Sequence, residues 1–224
     1  MFRNIWDTLR KDIQAVKERD PAARNVLEIL LTYPGFHALE IHRIAHWLHR
    51  HNLRMLARII SHINRFLTGI EIHPGAEIGK GVFIDHGMGV VIGETVVIKD
   101  NVTLYQGVTL GGTGKEKGKR HPTIEEGAVI ACGAMVLGSF TVGENARVGA
   151  GAVVLKSVPA NSTVVGVPAK VVVQNGQRVN KLDHANVPDP CAQQVAKLVD
   201  HIQALELKIN EMQKQLDEQK VNAS

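Results

Sequence analysis

An aliphatic residue recurs at every sixth position through the middle of the chain. A six-residue period fits neither the 3.6-residue turn of an α-helix nor one long alternating strand, and interspersed Gly and Asn would break a helix. The period is typical of short strands that coil, three hexapeptides to a turn, so that successive turns stack as a parallel β-helix. The repeat positions are Ile72, Ile78, Ile84, Val90, Val96, Val102 and Val108, then Ile124, Ile130, Val136, Val142, Val148 and Val154.

Small residues accompany the repeat and indicate a narrow interior. Alanine often stands four positions after a repeat residue, as at Ala76, Ala128, Ala134, Ala146 and Ala152. A narrow interior also accounts for the composition, in which 44% of residues are hydrophobic but only 4% are aromatic. We therefore expect Val, Ile and Ala to fill the coil, with few rings inside it.

The repeat is interrupted once. Val108 and Ile124 are sixteen positions apart rather than six, so ten extra residues, 112–121, are predicted to leave the coil as a loop. The loop is basic, rich in glycine and ends in His121. Because loops on rigid scaffolds often carry function, this insertion is a candidate site, with a solvated loop tip as the alternative.

Residues 1–69 are predicted to form an α-helical domain. Asp20 and Pro21 have the pattern of an N-cap followed by proline in the first helical turn. Pro34 then breaks the helical pattern, and the last helical segment ends at Gly69. Three histidines of this domain share one helix face, but no carboxylate or cysteine accompanies them in sequence, so no metal site is predicted. They are His42, His46 and His49.

The C-terminal part differs from the repeat domain, which we place at residues 70–173. A polar linker is predicted over 174–190, and a heptad helix over 191–219. Its apolar residues alternate three and four positions apart, which predicts a short coiled coil, with packing inside one chain as the alternative. The a positions are Val195, Ile202, Ile209 and Leu216, and the d positions are Leu198, Leu205 and Met212.

Charge and hydropathy exclude several classes of protein. The net charge of +4 is modest, and the basic residues are dispersed without aromatic partners, so no nucleic-acid binding is expected. No apolar run reaches the roughly 20 residues of a membrane span. Cys132 and Cys191 lack metal-ligand spacing, and no secretory leader precedes them. These features predict a cytoplasmic protein that is not embedded in a membrane.

His86 is the first candidate for catalysis. It follows Asp85 where other repeats carry small residues, and Glu71 precedes Asp85 by fourteen positions, close to one turn of the coil. A carboxylate beside an imidazole would orient it as a general base near neutral pH. The alternative is a histidine that only forms hydrogen bonds in a turn.

Several motifs resemble known enzymes. The hexapeptide repeat resembles the hexapeptide-repeat acyltransferases, whose β-helix is left-handed, and the specific motifs resemble serine O-acetyltransferases. The similarity covers about residues 12–172. The resemblance implies mixed α and β structure: an α-helical domain, a left-handed parallel β-helix and, in this chain, a C-terminal heptad helix. The motifs are Arg19-Asp20-Pro21-Ala22, Gly35-Phe36-His37-Ala38-Leu39, Ile72-His73-Pro74, Asp85-His86, Val91-Ile92-Gly93-Glu94-Thr95, Val108-Thr109-Leu110-Gly111-Gly112-Thr113-Gly114-Lys115, Arg120-His121-Pro122 and Gly166-Val167-Pro168-Ala169.

This resemblance implies that acetyl passes from acetyl-CoA to the L-serine hydroxyl, giving O-acetyl-L-serine for cysteine biosynthesis. In that chemistry His86 is the general base, Glu71 orients it, and serine attacks the thioester directly. His121 belongs to the catalytic set and, with Arg120, holds the serine carboxylate.

The remaining roles also come from the resemblance. Asp20 and Asp85 would hold the serine ammonium group. Acetyl-CoA, a cosubstrate rather than a resident cofactor, would lie along the β-helix edge. Its implied contacts are Gly112, Thr113, Cys132, Ala150 and Lys170.

The family also implies assembly, because its members are trimers that build each site between neighbouring protomers. A homotrimer or higher oligomer is therefore expected, although β-branched a positions with Leu at d favour two strands in a coiled coil. The chain departs from the long-form enzymes in three ways: Glu rather than Asp at position 71, a shorter helical domain, and a different C-terminus. The last does not support a complex with O-acetylserine sulfhydrylase.

Three other functions are alternatives for a chain with this repeat. A hexapeptide acetyltransferase for another small hydroxylated acceptor would have no reason to keep Asp20 and Arg120 for an amino acid's charges. A β-helical zinc carbonic anhydrase needs two histidines five residues apart, which neither His86 nor His121 provides. A non-catalytic scaffold finds its main support in the heptad helix.

Overall fold

A computed structural model describes residues 2–114, 117–178, 198–199, 201–206, 208–209 and 212. The chain divides into two compact units, Met1–Lys181 and Leu182–Ser224. The described residues of the first unit form four helices and sixteen short strands. Of the predicted heptad helix, residues 201–206 are described and helical, whereas Val195 and Leu216 lie outside the described residues.

The helices precede every strand. They are α1 (Phe2–Arg19), α2 (Val26–Thr32), α3 (Pro34–Arg50) and α4 (Arg54–Thr68). Pro34 occupies the first turn of α3, where its missing N–H costs nothing. Helix α4 ends at Gly69, which has a φ of 72° and donates its N–H to the Arg65 carbonyl. A left-handed C-cap of this kind favours glycine.

The strands are two to five residues long. Their bounds are β1 (Glu71–Ile72), β2 (Glu77–Ile78), β3 (Phe83–Asp85), β4 (Val91–Ile92), β5 (Val97–Ile98), β6 (Thr103–Tyr105), β7 (Thr109–Gly111), β8 (Thr123–Ile124), β9 (Val129–Ile130), β10 (Met135–Leu137), β11 (Thr141–Val142), β12 (Arg147–Val148), β13 (Val153–Val154), β14 (Ser162–Val165), β15 (Lys170–Gln174) and β16 (Gln177–Arg178). Strands three apart in sequence pair in parallel, so the chain coils as a β-helix with three faces.

Each face of the coil is one sheet. The first sheet has the order β1-β4-β7-β10-β13, the second β11-β8-β5-β2, and the third β16-β15-β14-β12-β9-β6-β3. Strands β14, β15 and β16 pair antiparallel and close the coil. The third sheet therefore continues through Arg178, where composition predicted a linker from residue 174.

The interior is built from the predicted repeat residues. From Ile84 onward they are at most 3% exposed, and the five predicted alanines are completely buried. Ile78, on the end strand of the second sheet, is only partly buried. Phe83 packs outside the coil, in a cluster with Phe36 and Ile29 of the helices. Aliphatic and small side chains therefore fill the coil.

The register of the repeat differs from the prediction beside His86. Ile84 pairs with Leu104, and Ile92 with Leu110. The step from Ile84 to Ile92 is eight positions, whereas the step from Leu104 to Leu110 is six. The turn that contains His86 therefore holds two more residues than the equivalent turn of the next coil.

The inserted loop adds correspondingly fewer residues to the coil than the repeat predicted. Leu110 and Ile124 are fourteen positions apart, so the loop adds eight residues to the coil rather than the ten predicted from Val108. It leaves the coil after Gly111, the end of β7, and returns at Thr123, the start of β8. The insertion thus lies where the interruption of the repeat predicts it.

Two corners of the coil are important for the site. We call the turns from the third to the first sheet the His86 corner; they are residues 86–90, 106–108, 131–134 and 149–152. We call the connections from the first to the second sheet the loop corner; they are residues 73–76, 93–96, 112–122 and 138–140.

Polar contacts attach the helices to the coil. Asp12 of α1 is 1% exposed, accepts a 2.6 Å hydrogen bond from Gly81 N–H and pairs with Arg43 of α3. The ring nitrogens of His42 and His46 lie 3.2 Å from the Ala76 carbonyl and 2.9 Å from the Pro74 carbonyl. Two of the three histidines on the α3 face thus contact the β-helix backbone.

No group of three potential ligands placed to hold a metal ion occurs among the described residues. None of the described helices combines the length and the apolar character needed to cross a membrane.

Candidate active site

His86 directly follows β3 and protrudes from its corner. Its side chain is 75% exposed, and Nε2 lies 3.8 Å from Oδ1 of Asp85. Its φ of 58° is in the left-handed region, which is unusual for a residue other than glycine. Such a conformation persists only where the surrounding structure enforces it, and it is enriched at functional sites. The turn holds two extra residues, and Gly87 and Gly89 within it also have positive φ, so the chain bends tightly around the exposed imidazole.

Glu71 lies beside the same corner, one coil earlier. It begins β1 and pairs in register with Val91, the first residue after the His86 turn. Its carboxylate has a different partner from the one predicted, because Oε2 lies 3.1 Å from Nη1 of Arg65. The pair of Glu71 with His86 therefore remains a prediction.

Asp20 lies between α1 and α2 and does not cap a helix as predicted. Its Oδ1 accepts a 2.7 Å hydrogen bond from Ala22 N–H, and its Oδ2 accepts one of 2.7 Å from the Tyr33 hydroxyl. The N-cap of α2 is instead Asn25, whose side chain accepts from Glu28 N–H. Asp20 instead follows the C-terminus of α1, where its N–H donates to the Val16 carbonyl at 2.9 Å.

Tyr33 contacts Asp20 and feels the charge of Asp85, the two predicted ammonium-binding carboxylates. Burial first, then the hydrogen bond to Asp20, and then the negative charges of Asp20, Glu28 and Asp85 raise the pKa of Tyr33 to about 12. Tyr33 therefore stays protonated and donates to Asp20. Asp20 and Asp85 both bring negative charge to this hydroxyl, and carboxylates suit an ammonium ligand.

His121 closes the inserted loop and lies at the loop corner. It is 8% exposed, and its Nδ1 accepts a 3.2 Å hydrogen bond from Thr95 N–H. Burial, followed by the positive charge of Arg120, lowers the pKa of His121. The ring is therefore neutral near pH 7.

Arg120 is held by an ion pair. Its Nη2 donates to Oε2 of Glu94 at 2.6 Å, and this hydrogen bond is the main cause that lowers the pKa of Glu94. The guanidinium is thus placed at the loop corner beside His121 before any ligand arrives.

The loop corner has no room for larger side chains. A Cβ on Gly93 would lie 2.2 Å from Nε2 of His121, and a Cβ on Gly112 would lie 3.0 Å from the Arg120 carbonyl. Glycine at these positions lets the imidazole and the loop end pack against the backbone. Gly112 and Thr113 themselves are exposed, so their backbone groups are accessible.

The remaining predicted cosubstrate contacts lie at the His86 corner. Cys132 and Ala150 are exposed and stack in adjacent coils, joined by a 2.9 Å hydrogen bond from Gly151 N–H to the Cys132 carbonyl. Lys170 is exposed and pairs in register with Val165, the last residue of β14 before that corner.

The predicted site residues of one chain therefore fall into two groups on two corners. His86, Cys132 and Ala150 belong to the His86 corner, with Glu71, Asp85 and Lys170 on the strands beside it, whereas Gly112, Thr113, Arg120 and His121 belong to the loop corner. The first sheet separates the groups.

Sequence reasoning assigned no role to Tyr33, Glu94 or Thr95, which contact predicted site residues. Tyr33 precedes a proline, which predicts its extended backbone but not the partner of its hydroxyl. Glu94 and Thr95 precede Arg120 by about the length of one coil plus the inserted loop. The positions of the strands were therefore the sequence signal that could have placed them beside Arg120.

Two family profiles match the chain. The one described as serine acetyltransferase, N-terminal, matches residues 2–41, and the one described as bacterial transferase hexapeptide (six repeats) matches residues 121–156. The serine acetyltransferase of Bacillus subtilis (strain 168) is 58% identical over 213 residues, which cover 95% of this chain and 95% of that protein.

Solved structures are similar as well. The serine acetyltransferase of Brucella abortus strain S19 in complex with coenzyme A has a TM-score of 0.76 and 46% identity, covering 78% of this chain and 70% of that one. The Neisseria gonorrhoeae serine acetyltransferase in complex with serine has a TM-score of 0.74 and 43% identity, covering 76% and 70%. The β-helix is therefore the left-handed form built from hexapeptide repeats.

Proposed function

The chain belongs to the serine acetyltransferase family, and from this premise we propose how its own residues perform the reaction. The enzyme transfers the acetyl group of acetyl-CoA to the hydroxyl of L-serine, and O-acetyl-L-serine and CoA are the products. O-acetyl-L-serine then serves cysteine biosynthesis. The exposed imidazole of His86, held at positive φ beside Asp85, is the observation on which our assignment of catalytic residues rests.

His86 acts as the general base. It accepts the proton of the serine hydroxyl while that oxygen attacks the thioester carbonyl. The tetrahedral intermediate collapses by breaking the carbon–sulfur bond, and the departing thiolate receives the proton from the imidazolium. No acyl-enzyme forms. Glu71 lies beside the same corner and is proposed to exchange its contact with Arg65 for one with the charged imidazole.

The serine substrate is held through both of its charges. The carboxylates of Asp20 and Asp85, of which Asp20 is positioned by Tyr33, bind the ammonium group. Arg120 and the neutral His121 donate to the carboxylate group. Opposite charges at the two ends fix which way the hydroxyl points, and this orientation contributes to the rate.

Acetyl-CoA is proposed to lie along the coil edge between the two corners. Exposed small residues, Cys132 and Ala150, leave space for its extended chain, and the exposed Lys170 provides a positive charge for its phosphates. Backbone N–H groups of Gly112 and Thr113 are suited to the oxyanion of the intermediate.

A complete site requires two protomers, because one chain carries its two groups of residues on different corners. We infer that the His86 corner of one protomer meets the loop corner of its neighbour, as in a homotrimer. This arrangement brings His86 to the bound serine without deformation of the coil, whose interior is close to fully buried.

Exposed apolar surface supports assembly. Helix α4 buries small and polar residues against the rest of the chain and exposes large apolar ones. The buried residues are Ala57, Ser61, Asn64 and Thr68, and the exposed ones are Met55, Leu56, Ile59, Ile63, Phe66 and Leu67. Described seam residues of the heptad helix, such as Ile202 and Ile209, are also more than half exposed within the chain. Such surfaces mark interaction sites.

The activity is tested by thiol release from acetyl-CoA, with L-serine and L-homoserine as acceptors. We expect release with L-serine, a loss of about a hundredfold or more in kcat for His86→Ala, and little change for the control His51→Ala, an exposed histidine that caps the C-terminus of α3. Absence of release with serine would overturn the function. Full activity of His86→Ala would overturn the role of the base alone.

A further inference from the structure

Thr95 lies at the loop corner between β4 and β5, and its hydroxyl joins this corner to the end of the inserted loop. The Oγ1 atom accepts hydrogen bonds from Arg120 N–H at 3.1 Å and from His121 N–H at 3.2 Å. The Thr95 carbonyl accepts a third contact, from Nζ of Lys119 at 2.8 Å. Three consecutive residues of the loop end are therefore tied to one residue of the coil.

Thr95 also contacts the His121 ring. The Nδ1 atom of His121 lies 3.2 Å from Thr95 N, whose N–H it accepts, and 2.9 Å from Oγ1. A hydroxyl has one proton and two lone pairs, and both lone pairs of Oγ1 are used by backbone N–H groups. Its proton is therefore donated to Nδ1. Two donors facing Nδ1 leave no place for a proton on that atom, so the neutral ring carries its proton on Nε2.

The Nε2–H group is available to a ligand. Nε2 lies toward the backbones of Gly93 and Gly112, which present no side chain, and it has no hydrogen-bond partner within the described part of the chain. The charged groups that act on the ring are Arg120, Glu94 and Lys119. The two cations disfavour an imidazolium, which agrees with a ring that donates only through Nε2.

We propose that Thr95 is a positioning residue for serine binding: it fixes His121 as the tautomer with its proton on Nε2 and anchors Arg120 at the loop end, so that both side chains donate to the serine carboxylate. This inference rests on the proposed function. It predicts that the Thr95 hydroxyl contributes to binding of serine without touching it.

The test compares Thr95→Val, which keeps the shape but removes the hydroxyl, with Thr95→Ser, which keeps the hydroxyl. The control is Thr141→Val, on an exposed strand position of the second sheet. Amide hydrogen exchange at Arg120 and His121 and the nitrogen NMR signals of the His121 ring report the anchor and the tautomer. Steady-state kinetics give KM for each substrate.

For Thr95→Val we expect exchange at the two amides to become at least about tenfold faster, the ring to populate both tautomers, and KM for serine to rise about fivefold or more. KM for acetyl-CoA and the thermal midpoint should stay close to the wild type. Thr95→Ser should restore the amide exchange, the single tautomer and the KM for serine. Thr141→Val should leave all three as in the wild type.

The inference is overturned if Thr95→Val leaves the exchange and the tautomer unchanged, or if Thr95→Ser fails to restore KM for serine. Hydrogen exchange and NMR measurements need no catalytic turnover, so they test the positioning role of Thr95 independently of the proposed function. If the wild type released no CoA with serine while Thr95→Val altered the ring, the serine role would fail and the positioning of His121 would stand.

Discussion

The Tyr33 hydroxyl donates a 2.7 Å hydrogen bond to Oδ2 of Asp20. The tyrosine stands at the junction of α2 and α3, whereas the aspartate follows α1, so the bond joins three helices beside the strand that ends in Asp85. It holds one of two carboxylates that we assign to the serine ammonium group.

Removal of that hydroxyl should weaken serine binding. Tyr33→Phe leaves Asp20 with the Ala22 N–H as its remaining partner, and the carboxylate then samples more rotamers. We expect KM for serine to rise about five- to tenfold, with kcat within about twofold, because the contact acts on bound substrate and transition state alike. KM for acetyl-CoA is the internal control, and an equal rise in both KM values would contradict the assignment.

Two inactive variants should complement each other. In mixed trimers of His86→Ala and Arg120→Ala, some interfaces combine an intact His86 corner with an intact loop corner. Random mixing in equal amounts gives about a quarter of the wild-type number of sites, and activity should recover to about that fraction after joint refolding. Each variant alone is the control. If a site used both residues from one chain, mixing would restore nothing.

A charge on the exposed apolar face of α4 should prevent assembly. Phe66 is 86% exposed, so Phe66→Lys should leave the fold of one chain intact but lower the mass in solution measured by light scattering. Activity should fall with the mass. Thr141→Lys adds the same charge at an exposed strand position of the second sheet and should keep the mass. An unchanged mass for Phe66→Lys would show that this face is not an interface.

Buried His42 should make the protein sensitive to acid. Burial and the neighbouring cations lower the pKa of His42 to about 3, so the folded state keeps the ring neutral while the unfolded chain binds a proton below about pH 6.5. Its contribution to stability is complete above pH 6.5 and is lost as the pH falls toward 3.

The variant His42→Asn lacks this titration. In urea denaturation, the difference in unfolding free energy between wild type and His42→Asn should narrow by about 1 kcal/mol between pH 6.5 and 5.5. A difference that stays constant over this range would contradict a buried neutral ring.

Glu40 should act in the opposite direction. Burial raises the pKa of Glu40 to about 7 against the attraction of Arg43, so the folded state holds a proton that the unfolded chain releases above about pH 4.5. This stability is complete below pH 4.5 and is lost as the pH rises through 7. Glu40→Gln should therefore gain about 1 kcal/mol relative to the wild type between pH 5.5 and 6.5. Urea denaturation at the same pH values measures this gain. Unfolding free energies of the wild type and Glu40→Gln that change in parallel with pH would contradict the prediction.

The sequence repeat predicted the β-helix, its interior residues and the site of the loop, because each coil must place aliphatic side chains inward at fixed intervals. It did not predict the two extra residues beside His86. Two inward positions of each hexapeptide accept aliphatic residues here, and Val90 and Ile92 are both buried. The aliphatic pattern can therefore shift its register by two residues without an apparent break. For this reason the two extra residues of the His86 turn were assigned to the inserted loop.

Contacts of the site residues were less predictable. The partner of Glu71 is Arg65, because α4 packs beside the start of the coil in an orientation that local periodicity does not encode. Asp20 has a tyrosine partner rather than an N-cap role because the junction of α2 and α3 places Tyr33 beside the end of α1. The hydrogen bonds of Thr95 depend on where the inserted loop returns to the coil, which no local pattern specifies.

The absence of tryptophan from the coil has a spectroscopic consequence. The chain has two tryptophans, Trp6 on α1 and Trp47 on α3, and both are partly exposed. Tryptophan fluorescence, excited at wavelengths that tyrosine does not absorb, therefore reports the helical layer, whereas the far-ultraviolet circular dichroism of the strands reports the coil. A melt followed by both signals distinguishes detachment of the helices, which carry Asp20 and Tyr33, from unwinding of the scaffold beneath them.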